Sequence, residues 1–176
     1  RGGWSEIQLG ALLEDMLAPT QYDRNFKPRE TGEVVVEYAI KLPNRDGSGE
    51  PVWLPIDAKF PIETYNRLVG AQERADVDAI NAETKALEMR IKGCAKEICE
   101  KYLNPPRTTD FGIMFLPTEG LYAEVIRRAA LVETVRRDYN VTIVGPSTLS
   151  AFINSLQMGF RTLAIQERSS EVWKLL

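Results

Sequence analysis

The residues best suited to chemistry stand in the stretch VWLPIDAKFP, residues 52–61. There an apolar run ends on an acid and a base two positions apart, Asp57 and Lys59, and stops at Pro61. Side chains alternate faces along a strand. Asp57 and Lys59 therefore share one face, and Ile56 and Ala58 the other. Charge at the end of a buried strand needs a partner or a task. A second acid, Glu37, interrupts the preceding apolar run VVVEYAIKL. If the turn closes around residues 44–50, hairpin pairing brings Glu37 and Asp57 to the same end. Two carboxylates beside a lysine suit a hard divalent cation, because Mg²⁺ takes one or two carboxylates, keeps several waters and binds substrate phosphate. The lysine can orient an attacking water or stabilise charge developing on phosphorus. A bare acid-x-lysine is also what a structural ion pair looks like, and the residues alone leave both readings open.

Composition narrows the chemistry further. The chain has no histidine. That excludes, within these residues, Ser-His-Asp and Cys-His nucleophiles and the common zinc hydrolases. Catalysis falls to carboxylates, lysines or an oxygen-liganded metal. With 44% hydrophobic and 27% charged residues the chain can bury a core. Its 176 residues suit a single domain, 1–176. The net charge of −3 gives no general attraction to nucleic acid or anionic lipid. No apolar run of about 18 residues appears, so no membrane contact is expected of this stretch. Cys94 and Cys99, five apart on a helical pattern, face different ways and read as reduced structural thiols, which suits a cytoplasmic setting. The chain opens on Arg1 and is read as a fragment of a longer protein.

These residues need elements to hold them. Residues 4–17 recur in apolar character at Trp4, Ile7, Leu12, Leu13, Met16 and Leu17, an amphipathic helix with Trp4 in the core. Residues 18–33, rich in Pro, Gly and charge, read as a loop. VVVEYAIKL and VWLPIDAK read as strands of an antiparallel hairpin across the turn PNRDGSGE. From Pro61 to about Leu103 the pattern is helical, breaking near Gly70 or near RADVDA. FGIMFLP and NVTIVGP read as buried strands. EGLYAEVIRRAALVETVRRDY reads as one helix, and the chain closes on a long helix from STLSAF onward. The order is α/β: a mixed sheet with helices on both faces.

Several strings resemble the RmuC family of bacterial DNA recombination proteins: WSEIQLGALLED, IDAKFPIETYNRL, FGIMFLPTEGLYAEV and VTIVGPSTLSAF. They cover nearly the whole chain in order. The acid in one strand and IDAK at the end of the next also resemble the PD-(D/E)XK nucleases, whose core runs α-β-β-β-α-β. The resemblance implies a restriction-endonuclease-like core with a long helical insertion after the second core strand, and Mg²⁺- or Mn²⁺-dependent cleavage of phosphodiester bonds in DNA. It further implies a role in limiting DNA rearrangement, an upstream coiled coil through which the protein could oligomerise, and often an upstream membrane anchor.

Carried over residue by residue, Asp57 and Lys59 match the acid and the lysine of the D-x-K motif. Glu37 falls where the family usually has Asp, after Val36 in place of Pro, and Glu6 of WSE matches the first-helix acid. Asp57, Glu37 and Glu6 are then the metal ligands and Lys59 the catalytic lysine. Glu6 reads equally as a first-turn acid favoured by the helix dipole. Gln8, Tyr65 and Glu119 are candidate substrate contacts, each with a plainer role in packing or capping. Arg90, Lys92, Lys96 and Lys101 on one helix, and Arg127, Arg128, Arg136 and Arg137 on another, read as solvated faces with i,i+4 partners. The longer methylene chain of Glu37 leaves a second function open: a nuclease-fold module that binds or scaffolds DNA without efficient cleavage.

Overall fold

The computed structural model describes residues 3–43 and 49–175, apart from the side chains at 164, 165 and 167. A five-stranded sheet lies at its centre, in the spatial order β1 (Tyr22–Phe26), β2 (Val36–Leu42), β3 (Val52–Ala58), β4 (Gly112–Phe115), β5 (Val141–Val144). The pairs β1–β2 and β2–β3 are antiparallel, while β3–β4 and β4–β5 are parallel. Connection length explains the mixture. Nine residues, 43–51, separate β2 from β3, whereas parallel neighbours need a crossover, and helices supply it before β4 and again before β5. The helices are α1 (Trp4–Met16), α2 (Ile62–Glu73), α3 (Val77–Tyr102), α4 (Glu119–Ile126), α5 (Ala129–Tyr139) and α6 (Pro146–Leu175).

Strand alternation sorts the core into two layers. Ile56, Ile113, Phe115 and Val144 face Leu9 and Leu13 of α1 and Leu149 and Ile153 of α6. Met114 and Ile143, one residue out of phase, face Leu68 of α2, Ile91 and Ile98 of α3, Val125 of α4 and Val135 of α5. Each layer places its apolar side chains at zero or near-zero exposure. Two glycines allow close approach. A Cβ at Gly10 would collide with the Tyr38 hydroxyl, so α1 lies directly on β2 there. A Cβ at Gly145 would come within 2.8 Å of the Tyr122 ring, where β5 turns into α6.

Four expectations need correction. Residues 18–33 are not wholly loop: β1 pairs with β2 from Tyr22↔Ile40 to Phe26↔Val36. Its string YDRNF has little strand propensity, and Asn25 carries a positive φ of 51°. Pairing to the free edge of β2 makes it a strand. The helical stretch α2–α3 consequently follows the third strand, not the second. The helix expected from Glu119 to Tyr139 is two, α4 and α5, parted at Arg127–Arg128. No Gly or Pro marks that break. The Arg128 guanidinium instead turns back to donate to the Glu124 carbonyl and carboxylate. Lastly, Trp4 is 49% exposed, since it stands in the first turn of α1, ahead of the buried Leu9 and Leu13; its ring lies tilted against that of Phe60 at a separation of 5.3 Å. The break between α2 and α3 falls within RADVDA, where Ala75 adopts a φ of 53° and Asp76 caps α3 through Ala79 N–H.

No helix among the described residues is long and apolar enough to cross a membrane. Both thiols are free, Cys94 buried and Cys99 half-buried.

Candidate functional site

The site forms where the carboxyl ends of three parallel strands line up. Beyond the ends of β3 and β4 the ladder continues: Lys59 N–H donates to Phe115 O at 2.9 Å, and Leu116 N–H to Val144 O at 2.9 Å. The Lys59 backbone is thus fixed to the sheet although Lys59 lies past the strand. β2 and β3 pair as Ala39↔Pro55 and Tyr38↔Ile56. One further step along that register sets Glu37 opposite Asp57. Directly opposed residues share a face, with Cβ atoms about 4.5–5.5 Å apart. The face is the one under α3, away from Ile56 and Ala58.

Asp57 is 6% exposed. Lys59 Nζ lies 3.1 Å from Asp57 Oδ2 and 3.0 Å from Glu97 Oε1 of α3. The ammonium thus bridges the two acids, one on β3 and one on α3. Asp57 Oδ2 is buried and has no hydrogen-bond partner among the described residues. Burial pushes the Asp57 carboxyl up to about 6, against the pull of the nearby Lys59 charge. In Lys59 burial works to discharge the ammonium, but Asp57 and Glu97 outweigh it and raise the group above the usual lysine range. The hydrogen bond from Lys59 holds Glu97 below the usual carboxylate value. Tyr102, also on α3, is driven up to about 12 by burial and then by the Asp57 charge, with Glu97 and Glu37 adding to it. All three carboxylates lie within electrostatic reach of that one hydroxyl. A buried acid beside a fixed ammonium is the kind of perturbed pair that accompanies a working site.

The remaining sequence candidates spread out. Glu6 sits in the α1 layer and its Oε2 accepts from Gly3 N–H at 3.0 Å, closing the helix start; its charge still reaches Asp57, weakly. Gln8 is exposed on α1. Tyr65 is half-buried against the helical layer, its hydroxyl where a Cβ on Gly120 would be. Glu119 ties two helix starts together, its Oε1 accepting from Ser147 N–H at 2.7 Å. On the basic helices Arg127 and Arg128 pair with Glu124, Arg136 with Glu133, and Lys101 approaches Glu97. Arg137 pairs with its neighbour Asp138. Solvated or locally paired faces are what the spacing suggested.

Beside Lys59 opens a cleft of about 470 Å³, lined by Phe60, Pro61, Ile62, Glu63, Thr64 and Arg90. Among the described residues no group of three or more His, Cys, Asp or Glu is placed to hold a metal ion. A hydrated Mg²⁺ needs only one or two carboxylates. Asp57, with Glu37 next in register, offers the two carboxylates such an ion needs, beside the Lys59 ammonium that already pairs with Asp57.

Glu97 and Tyr102 escaped the sequence reading. Both flank the buried stripe of α3, formed by Cys94, Ala95 and Ile98. An acid at the border of an apolar stripe was the available signal. Nothing local connects Glu97 to a lysine 38 positions earlier.

With that geometry in place, likeness to other proteins can be weighed. The RmuC family model matches residues 1–176. Along its full length the chain is 52% identical to a DNA recombination protein RmuC homolog of Xylella fastidiosa, of which it covers 39%. A protein so named in Chlamydia pneumoniae is 30% identical across 98% of the chain and 39% of the relative. One in Yersinia pestis is 24% identical across 89% of the chain and 32% of the relative. The chain thus spans about two fifths of the length of the curated relatives it matches. No solved structure matches it.

Proposed function

The chain belongs to the RmuC family, and from that premise we propose that it is the nuclease part of a DNA recombination protein, hydrolysing phosphodiester bonds with Mg²⁺ or Mn²⁺ at Asp57, Glu37 and Lys59. The observation that carries this reading is the buried Asp57 carboxylate, raised to about 6 by burial, paired with Lys59 at the carboxyl ends of the parallel strands. In open α/β sheets that edge is where ligands gather. The run α1-β1-β2-β3, then helices, then β4 parallel to β3, supports a PD-(D/E)XK-like core. The names carried by the relatives support the setting in recombination.

Asp57 and Glu37 would hold the cation, with the charge of Glu6 behind them. Once bound, it supplies a positive charge that polarises a phosphoryl oxygen and makes water more acidic. Lys59 does the rest from this chain. Its ammonium is charged at any working pH and presents donors beyond the one used by Glu97. A non-bridging phosphoryl oxygen that gains charge in the transition state is stabilised there. Burial of Asp57 and the Tyr102 ring keep bulk water from screening that charge.

A second reading is a module that holds DNA without cutting it. One observation favours it: Lys59 is already bonded to Glu97, as in a structural ion pair. A single experiment decides. The purified chain and Asp57→Ala are incubated with linear duplex and single-stranded DNA in Mg²⁺, Mn²⁺ or chelator. Metal-dependent cleavage that disappears in Asp57→Ala is the expected result. Retention of DNA without cleavage supports the module, and equal cleavage by both proteins removes the nuclease reading.

A further inference from the structure

Phe26, Trp53 and Arg107 form a second constellation, at the opposite end of β3 from Asp57. The Phe26 and Trp53 rings lie 4.9 Å apart, tilted by 31°. The Arg107 guanidinium sits over the Phe26 ring at 4.7 Å. Backbone bonds hold indole and guanidinium at a fixed separation: Trp53 N–H donates to Arg107 O at 3.0 Å, and Thr109 N–H to Trp53 O at 2.9 Å. Beside them opens a cavity of about 400 Å³, lined by Trp53, Arg107 and Asn104 and bounded by Glu30 and Glu50. The indole is half-buried, so part of it faces that space.

Charge around this cavity is arranged unlike that on the helices. Arg127, Arg128 and Arg136 each meet a carboxylate at 2.6, 2.9 and 2.9 Å. Here guanidinium groups bond carbonyl oxygens instead: Arg29 donates to Lys101 O and Leu103 O, and Arg107 Nε to Lys27 O. A carbonyl satisfies the donor without cancelling the charge. Among the described residues the carboxylate nearest Arg107 is Glu30, 3.9 Å away on a side chain 84% exposed, where solvent leaves little attraction. Lys27 is exposed, and so is Lys41, directly across from Trp53 in the β2–β3 register. Four cations thus surround an aromatic platform, against Glu30 and Glu50 on the rim. A flat ring with a cation at its side suits a flat ring that carries an anion. In a duplex the bases are already stacked and turned inward, so only an unpaired base can enter. We infer that this cavity takes one unpaired nucleotide of single-stranded DNA, its base stacked on Trp53 and its phosphate on Arg107. Trp53 and Asp57 share a face of β3, four residues and so about 13 Å apart. A strand anchored here lays its backbone along the face that carries Asp57 and Lys59. As the strand form of the substrate this rests on the nuclease reading; the binding itself does not.

The emission of Trp53 reports on the cavity without disturbing it. Trp4→Phe combined with Trp173→Phe leaves Trp53 as the sole tryptophan of the three. In EDTA, so that no strand is cut, an oligothymidylate of about 12 nucleotides should quench that emission saturably. An abasic strand of equal length and a blunt duplex should leave it unchanged. Unmoved emission with oligothymidylate, or equal quenching by the abasic strand or the duplex, overturns the inference. Quenching by a decaproline peptide and not by oligothymidylate assigns the cavity to a protein partner and overturns it too. Anisotropy of fluorescein-labelled oligothymidylate then separates the two residues, with circular dichroism confirming that each variant is folded. Trp53→Ala should bind at least about fivefold more weakly, the loss of one stacked base, and Trp53→Phe within about threefold of wild type. Arg107→Gln should weaken base-bearing and abasic strands alike and lower the salt dependence by about one phosphate. Wild-type affinity in folded Trp53→Ala, or an unchanged salt slope in Arg107→Gln, overturns the inference. If Trp53 is quenched but Mg²⁺ and Mn²⁺ bring no cleavage, the nuclease reading fails and the site stands. Asp57-dependent cleavage with Trp53 emission unmoved removes the site alone.

Discussion

Asp57 and Glu124 are both buried carboxylates, 6% and 8% exposed, and they behave in opposite ways. Glu124 is surrounded by donors: Gln72 Nε2 at 2.9 Å to Oε1, Arg128 Nη1 at 2.9 Å and Arg127 Nη2 at 2.6 Å to Oε2. Burial alone would raise its pKa, but these contacts win and hold it below the usual carboxylate value. Among the described residues Asp57 has one ion-pair partner, the Lys59 ammonium 3.1 Å from Oδ2. There burial wins, and the group rises to about 6. Burial therefore does not identify a site. The difference lies in whether the surroundings satisfy the charge. Glu124 knits α2, α3 and α4 together through Gln72, Thr84 and Arg128. Asp57 is left with unmet bonding capacity at the strand ends, as a ligand-binding acid would be.

The largest expected contrast is in cleavage. Asp57→Asn should lower metal-dependent DNA cleavage by at least about 10²–10³-fold, whereas Glu124→Gln should leave the rate within about threefold at a temperature where both are folded. Loss of cleavage in Glu124→Gln alone would break the division between the two acids. Stability should show the reverse. Glu124→Ala leaves Arg128 buried without its carboxylate and should cost about 3 kcal/mol in urea denaturation, while Asp57→Asn should change stability by less than about 1 kcal/mol.

Opposite pH slopes sharpen the comparison further. The folded Asp57 value of about 6 exceeds its ordinary 3.8, so the folded state holds the extra proton between those values. Wild-type stability relative to Asp57→Asn should consequently fall as pH rises from 4 to 6, by on the order of 2 kcal/mol. For Glu124 the folded value lies below the ordinary 4.5. Its contribution is present above pH 4.5 and is lost as pH falls through the folded value, so wild type should lose its advantage over Glu124→Gln on acidification. Parallel slopes in the two pairs would contradict the different satisfaction of the two groups. The smallest effect is expected at the surface: Arg136→Ala breaks an exposed pair with Glu133 and should cost under about 0.5 kcal/mol without altering cleavage.

Much of this architecture was legible because local patterns carried it. The alternation in VVVEYAIKL and VWLPIDAK, split by a run of turn residues, yields the β2–β3 hairpin, and the same alternation sets Asp57 and Lys59 on one face. The turn residues 44–48 themselves lie outside the described residues. Long 3.6-residue periodicity yields α3 and α6. β1 was illegible because YDRNF is a strand only by virtue of its neighbour, and the α4–α5 break because a folded-back Arg128, not a helix-breaking residue, makes it.

Composition and spacing by themselves determined that no imidazole chemistry operates in these residues, that the fold is α/β, and that an acid and a lysine stand together at the end of one strand. Those properties depend on residue type and on backbone periods of two and 3.6, which need no long-range contact. Tertiary structure alone decided that Glu97 meets Lys59 and that Asp57 is buried beneath α3. Such facts depend on how a helix lies over a sheet 38 residues away in the chain, and packing of the two apolar layers sets that distance.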